Sequence, residues 1–231
     1  MFRTVKEYLR QRRLVRAGLA AEIQGRTVAY GAGTGVWHVL PELLGNAPVI
    51  YSFGVGTNID WDLQMVRECN AELHAFDPTP RSVDWMKNQD LPEGFSFHEL
   101  GLSDHDGDLE FYVPRKTHKV NYSSVKAPSE DARKVRCPVK RLKSITEALG
   151  HHRLDVLKMD IEGGEMVAIP DVLDSGVFVG QLLAEFHYHY PVIGWTAFVE
   201  LMARVHNRGY RIFHVSRRGY EFSLVHESLL P

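Results

Sequence analysis

From Ala47 to His226 the sequence alternates between short apolar runs and amphipathic stretches, and this rhythm restricts the fold more than any other feature. "APVIYSF", "AELHAF", "FSFHEL", "LDVLKMD" and "GQLLAEF" read as strands. Between them "DWDLQMVREC", "PRSVDWMKN", "LKSITEAL", "EMVAIPDVL" and "GWTAFVELMARVHNR" read as helices, the fourth interrupted by Pro170. "LEFYV" and "KVRCPV" suggest an additional antiparallel pair. "YRIFHV" and "YEFSLVH", separated by "SRRG", close the chain as a hairpin. Strands that alternate with helices specify an α/β fold: a mostly parallel sheet with helices on both faces. The final hairpin adds antiparallel pairing at one edge.

Residues 1–45 stand outside this rhythm. Val5, Leu9, Leu14 and Val15 form an apolar stripe at helical spacing, and Arg3, Lys6, Arg10, Arg12, Arg13 and Arg16 form a charged face. We expect an N-terminal helical appendage (1–45) packed on one domain (46–231), and read the basic face as solvated rather than as a membrane or RNA surface. A net charge of −2 over 231 residues gives no global attraction to nucleic acid. No apolar run is long enough to span a bilayer. The first residues lack a signal-peptide core, and the two cysteines, Cys69 and Cys137, are too few for a disulfide scaffold. A cytoplasmic protein without nucleic-acid or membrane partners is the expectation. Asn121-Tyr122-Ser123 then matches the glycosylation pattern by chance.

Two glycine turns follow apolar runs, "TVAYGAGTG" and "VIYSFGVGTN". A nucleoside site in such a sheet needs a glycine turn after its first strand. It also needs an acid on the ribose hydroxyls at the end of the next strand, about 20 residues on. From Gly31 that distance reaches Ile50 to Ser52, which carry no carboxylate. From Gly54 it reaches Asp77, 23 residues later, at the end of "LHAFDPTP". The second turn satisfies the test. The first reads as a plain turn with Trp37 packing on the sheet. The second turn has no third glycine and nothing to bind a pyrophosphate, which suits an adenosyl-methionine better than a dinucleotide.

Downstream, "LDVLKMDIEGGE" places Lys158, Asp160 and Glu162 at alternate positions, on one face if the strand stays extended. Three charged groups there are costly to bury for packing alone. Gly163 and Gly164 allow a sharp turn, and Glu165 reads as a helix-opening carboxylate.

"VIYSFGVGTNIDWD", "LHAFDPTP", "FHELGLSDHDGDLEFYVP", "CPVKRL", "LDVLKMDIEGGE" and "QLLAEFHYH" resemble, in this order, the FkbM-type methyltransferase family, in its branch with "FDPTP" and "LKMDIEG". The resemblance covers roughly Trp37 to His189. It implies the Rossmann-like class I sheet of S-adenosylmethionine-dependent methyltransferases and O-methylation of a hydroxyl on a sugar, glycan or small metabolite. Carried over by position, it places the donor against Phe53, Gly54, Gly56 and Asn58, the ribose on Asp77 and the adenine near Leu102, Ser103 and Asp104. This chain has Ser52 where the family pattern carries an acid. The donor's amino group then falls to loop carbonyls or to Asp160.

Methyl transfer to oxygen is helped by a group that takes the proton as the nucleophile attacks. Asp160 closes one strand, and Glu185 and His187 close another on a shared face, so these tips should meet the donor methyl. His187 is the first candidate base; Asp160 is the second, or an orienting carboxylate. The competing reading of Asp160, Glu162, Glu185 and His187 is a divalent metal site. His189 reads as a surface residue, and His151 and His152 as loop. Residues 120–128, "VNYSSVKAP", read either as a lid, with Ser123 or Ser124 touching the acceptor or the donor carboxylate, or as a surface loop. Two other classes remain: an NAD-dependent oxidoreductase, for which "KMDIEGGE" has no role, and a donor- or partner-binding module without catalysis.

Overall fold

A computed structural model describes residues 2–23, 27–114, 120–125 and 132–231. The elements run in chain order from α1 (Phe2–Arg16) through β1 (Val28–Tyr30), β2 (Trp37–Val39), β3 (Val49–Phe53), α2 (Asp60–Cys69), β4 (Glu72–Phe76) and α3 (Pro80–Met86) to β5 (Phe95–His98). There follow β6 (Gly101–Leu102), β7 (Gly107–Tyr112), β8 (Lys134–Lys140), α4 (Leu142–Leu149), β9 (Arg153–Met159) and α5 (Glu165–Asp174). The chain closes with β10 (Phe178–Glu185), α6 (Gly194–Asn207), β11 (Tyr210–Val215) and β12 (Glu221–His226).

Among the described residues the main sheet has the order β11-β12-β10-β9-β3-β4-β5. β5, β4, β3, β9 and β10 are mutually parallel, and β12 pairs antiparallel with both β10 and β11. The closing hairpin therefore supplies the antiparallel edge, with β12 as the inner strand. β7 and β8 pair antiparallel, as expected, and β6 joins them in a small second sheet.

Alternation along the strands divides the core in two. Tyr51, Phe53, Leu157, Leu182 and Phe222 face one layer, where α4, α5 and α6 bring Ile145, Ile169 and Phe198. Ile50, Leu73, Val156 and Leu183 face the other, where α2 brings Trp61 and Met65. Pro170 lies inside α5 without ending it.

The N-terminal segment differs from the helical appendage expected. It is α-helical only over Phe2–Arg16, and β1 and β2 form an antiparallel hairpin around the first glycine turn. Both parts join the cores: Leu14 is 1% exposed in the first, and Trp37 and Val39 are buried in the second. Gln181 on β10 accepts from Leu40 N at 2.9 Å and donates to Leu40 O at 3.0 Å. No helix among the described residues is long and apolar enough to cross a membrane.

Candidate active site

From β3 the chain continues to β4 and β5 on one side and returns to β9 and β10 on the other. The crevice beyond the carboxyl ends of β3 and β9 is the switch point at which open α/β sheets bind ligands. A cavity of about 470 Å³ opens there. Phe53, Gly54, Gly56, Asn58, Asp77, Leu102, Ser103, Asp104 and Asp160 all line it, so one space gathers the residues that the resemblance places against the donor, with Ser124 but not Ser123 beside them.

The turn at Gly54 is shaped by close backbone approach. Gly54 has φ +77°, and a Cβ there would stand 1.8 Å from Asp160 O. Only glycine fits this position. Gly54 N donates to Phe76 O at 2.9 Å, and Asp160 N donates to Phe53 O at 3.1 Å, so three strand tips are stitched at one point. Asp77 completes the stitch. Its Oδ2 accepts from Gly56 N at 2.9 Å, and its Oδ1 accepts from Thr79 N at 2.9 Å and Thr79 Oγ1 at 2.6 Å. A carboxylate offers about four acceptor sites. The one still open lies on Oδ2, beside the glycine turn.

A cluster of ionisable groups stands beside this turn. His187 is 3% exposed. Its Nδ1 lies 3.1 Å from Glu165 Oε1, and its Nε2 lies 3.4 Å from Glu162 Oε2 and 3.9 Å from Asp160 Oδ1. Burial alone lowers the imidazole pKa, but the bond to Glu165 and the charges of Glu165, Asp160 and Glu162 outweigh it and raise the value to about 10. Burial pushes the Asp160 carboxyl up to about 6, with His187 opposing and Glu162 adding to the shift. Burial also pushes Glu185 up to about 8, with Asp160 and Glu221 adding. Glu185 accepts from Arg218 at 2.9 Å.

Glu165 does more than open α5: its carboxylate accepts from Ile161 N and Gly163 N, both at 2.9 Å. β9 ends at Met159, and Glu162 takes the left-handed conformation with φ +53°. The extended alternation expected through Glu162 therefore stops at Asp160. Lys158, Asp160 and Glu162 still reach the cavity together. Glu162 is held there by Asn121 and Tyr190, which donate to its carboxylate, and by Ser123, which donates to its main-chain oxygen at 2.6 Å.

A model of the methyltransferase FkbM domain matches residues 50–212. The chain belongs to the FkbM methyltransferase family. Its curated relatives include the probable methyltransferase-like protein 24 of Homo sapiens, 27% identical over 176 residues, and that of Rattus norvegicus, 27% identical over 175. Each match covers 71% of this chain and 42% of the relative, so the chain spans less than half the length of the curated relatives it matches. Among solved structures, a Methanococcus jannaschii fibrillarin pre-rRNA processing protein aligns with a TM-score of 0.49 at 10% identity, covering 82% of this chain and 70% of that one. The antibiotic-resistance methyltransferase Kmr aligns at 0.40 and 14% identity, covering 86% and 98%.

In this FkbM chain the expected catalytic residues part company. Asp160 lines the cavity, whereas His187 and Glu185 stand behind it. His187, expected as the first-choice base, does not line the cavity, and the carboxylates around it raise its pKa, which favours the protonated ring. Ligand atoms of Asp160, Glu185 and His187 lie within 4.8 Å of one another. Glu165 takes His187 Nδ1 and leaves Nε2 facing Asp160 and Glu162, the orientation in which an imidazole can ligate an ion, while Arg218 occupies Glu185.

Sequence reasoning missed part of the wall. Thr34 and Gly35 bring the first glycine turn to the rim, so that turn is more than a connector. Trp61 and Asp62 line the cavity from the first turn of α2. Their only sequence signal was an acidic first turn, which ordinary helix starts share. Val120, Asn121, Tyr122, Ser124 and Val125 close one side, as a lid would, while 126–128 lie outside the described residues. His189 is exposed, and His151 is half-buried in the loop before β9.

Proposed function

We propose that this protein transfers a methyl group from S-adenosylmethionine to a hydroxyl of a sugar, glycan or small metabolite. The observation that carries the reading is the Gly54 turn tied to Asp77 through Gly56 N within a cavity at the switch point of the sheet. Membership of the FkbM family supports it. The cradle fits the donor: Asp77 keeps an acceptor position for the ribose, and Leu102, Ser103 and Asp104 offer a partly apolar wall for a base.

When bound, the donor supplies an activated sulfonium methyl group. The chain's own work is to bring an oxygen into line and take its proton. Positioning can contribute up to about 7–11 kcal/mol. Asp160 is the proposed base: it lines the cavity, and its side chain keeps 34% exposure while Oδ1 turns to His187. His187 is a positioning residue, held by Glu165, whose charge keeps the Asp160 carboxylate in place. The test is labelled methyl transfer to a panel of sugars and small hydroxylated acceptors, with calorimetric titration of S-adenosylhomocysteine and NAD⁺. The proposal expects homocysteine-nucleoside binding and acceptor-dependent transfer. Binding of NAD⁺ instead contradicts the donor, and donor binding without transfer to any acceptor favours a binding module.

A further inference from the structure

The donor reading leaves one end of the donor without a holder. Near the tip of β3, Ser52 is fully buried. Its Oγ accepts from Lys158 Nζ at 3.3 Å, and it hydrogen-bonds the Asp62 carboxylate. Lys158 and Asp62 are 5% and 1% exposed, and both line the cavity. Trp61 lines it beside them, and the Lys158 ammonium lies 5.4 Å from the Trp37 ring and 6.0 Å from the Trp61 ring.

Two atoms in this group are unsatisfied. Asp62 Oδ1 and Trp61 Nε1 are buried and have no hydrogen-bond partner. Buried polar atoms are nearly always paired, so an orphan acceptor and an orphan donor on one cavity wall call for a ligand. The chemistry selects its class. Lys158 Nζ and Trp61 Nε1–H are donors suited to a carboxylate, and Asp62 Oδ1 is an acceptor suited to an ammonium. An α-amino acid carries both charges on one carbon.

We infer that Asp62, Lys158 and Trp61 hold the zwitterionic α-amino-acid end of the donor. The inference rests on the donor reading above and adds the half of the site that Asp77 does not reach. It takes the place of the expectation that loop carbonyls or Asp160 hold the amino group, and leaves Asp160 to the acceptor.

The test separates the two ends of the ligand. S-Adenosylhomocysteine carries the amino-acid end, and 5′-methylthioadenosine lacks it. Both are titrated calorimetrically into the parent protein, Asp62→Asn and Lys158→Met. The expected result is a rise of roughly tenfold or more in the S-adenosylhomocysteine Kd for each variant. The 5′-methylthioadenosine Kd should stay within about twofold of the parent, which also reports an intact fold. Unchanged S-adenosylhomocysteine binding in both variants overturns the inference and leaves the donor reading standing. Equal losses for both ligands assign the group to packing and overturn it as well. A parent protein that binds neither nucleoside removes the donor reading itself, and this inference with it.

Discussion

Asp160 is the residue on which the proposed chemistry turns. It joins the cavity to the buried His187 cluster, and burial raises its carboxyl to about 6. A base acts in its ionised form, so turnover should rise with pH through about 6 and then level. Asp160→Asn should lower kcat by about 10²–10⁴ and remove that acidic limb, with S-adenosylhomocysteine affinity nearly unchanged. A variant that turns over like the parent would assign the proton to another group. Asp77 belongs to binding rather than turnover. Asp77→Ala should weaken S-adenosylhomocysteine binding by about 10–100-fold in calorimetry, the worth of hydrogen bonds to a charged group. Both residues were legible because their signals are local: a glycine turn and an acid at fixed spacing, and a carboxylate where an apolar strand stops. Asp62 was not legible, because an acid in a first helical turn looks the same whether it faces solvent or a cavity. The role of His187 was hidden for a similar reason. Strand alternation placed it near Asp160 but could not show three carboxylates converging on one ring.

Among the elements, the β3 turn and α1 make contrasting cases. Gly54→Ala meets both a positive φ and the Asp160 carbonyl. The backbone cost alone is about 1–3 kcal/mol, and relieving the clash must part β3 from β9. Loss of S-adenosylhomocysteine binding with a lowered melting temperature is expected; unchanged binding would mean that the strand tips are looser than described. α1 lies far along the chain from its partners, yet it docks on the β11–β12 turn. Arg10 and Arg13 stack at 4.0 Å on Tyr220 and Trp195, Gln11 donates to Ser216 O at 2.7 Å, and Leu14 is buried. Leu14→Ala should cost about 2–5 kcal/mol in urea unfolding. A cost within about 0.5 kcal/mol would make α1 a surface appendage after all. The basic face was legible as helix; its docking was not, because the partners lie some 200 residues away. The β1–β2 hairpin escaped notice because each strand has three residues, too few to show alternation.

Across the whole molecule the buried charge cluster links stability to pH. His187 is held at about 10 in the folded chain, against an ordinary 6.5. A raised value stabilises the fold fully below 6.5 and is lost as pH climbs through 10, because the native state then keeps a proton that the unfolded chain has released. Unfolding free energy should therefore fall between pH 6.5 and 10, by roughly 1.4 kcal/mol per pH unit for each extra proton held. His187→Gln should flatten that slope above about pH 8, where Glu185 no longer adds to it, and a parent whose urea midpoint is constant over the range would contradict the cluster's charge state. The sheet itself was the most legible level. Five parallel strands, their helices and the closing hairpin all follow from alternating pattern and length, which long-range packing reinforces rather than overrides. What pattern could not convey is convergence: that the tips of β3, β4 and β9 meet at Gly54, with the Asp77 carboxylate closing the join. A crystal structure of the protein with S-adenosylhomocysteine addresses that point most directly. The account predicts the ribose hydroxyls on Asp77 and the nucleoside over the Gly54–Gly56 turn; a nucleoside seated on another turn, with Asp77 untouched, would contradict it.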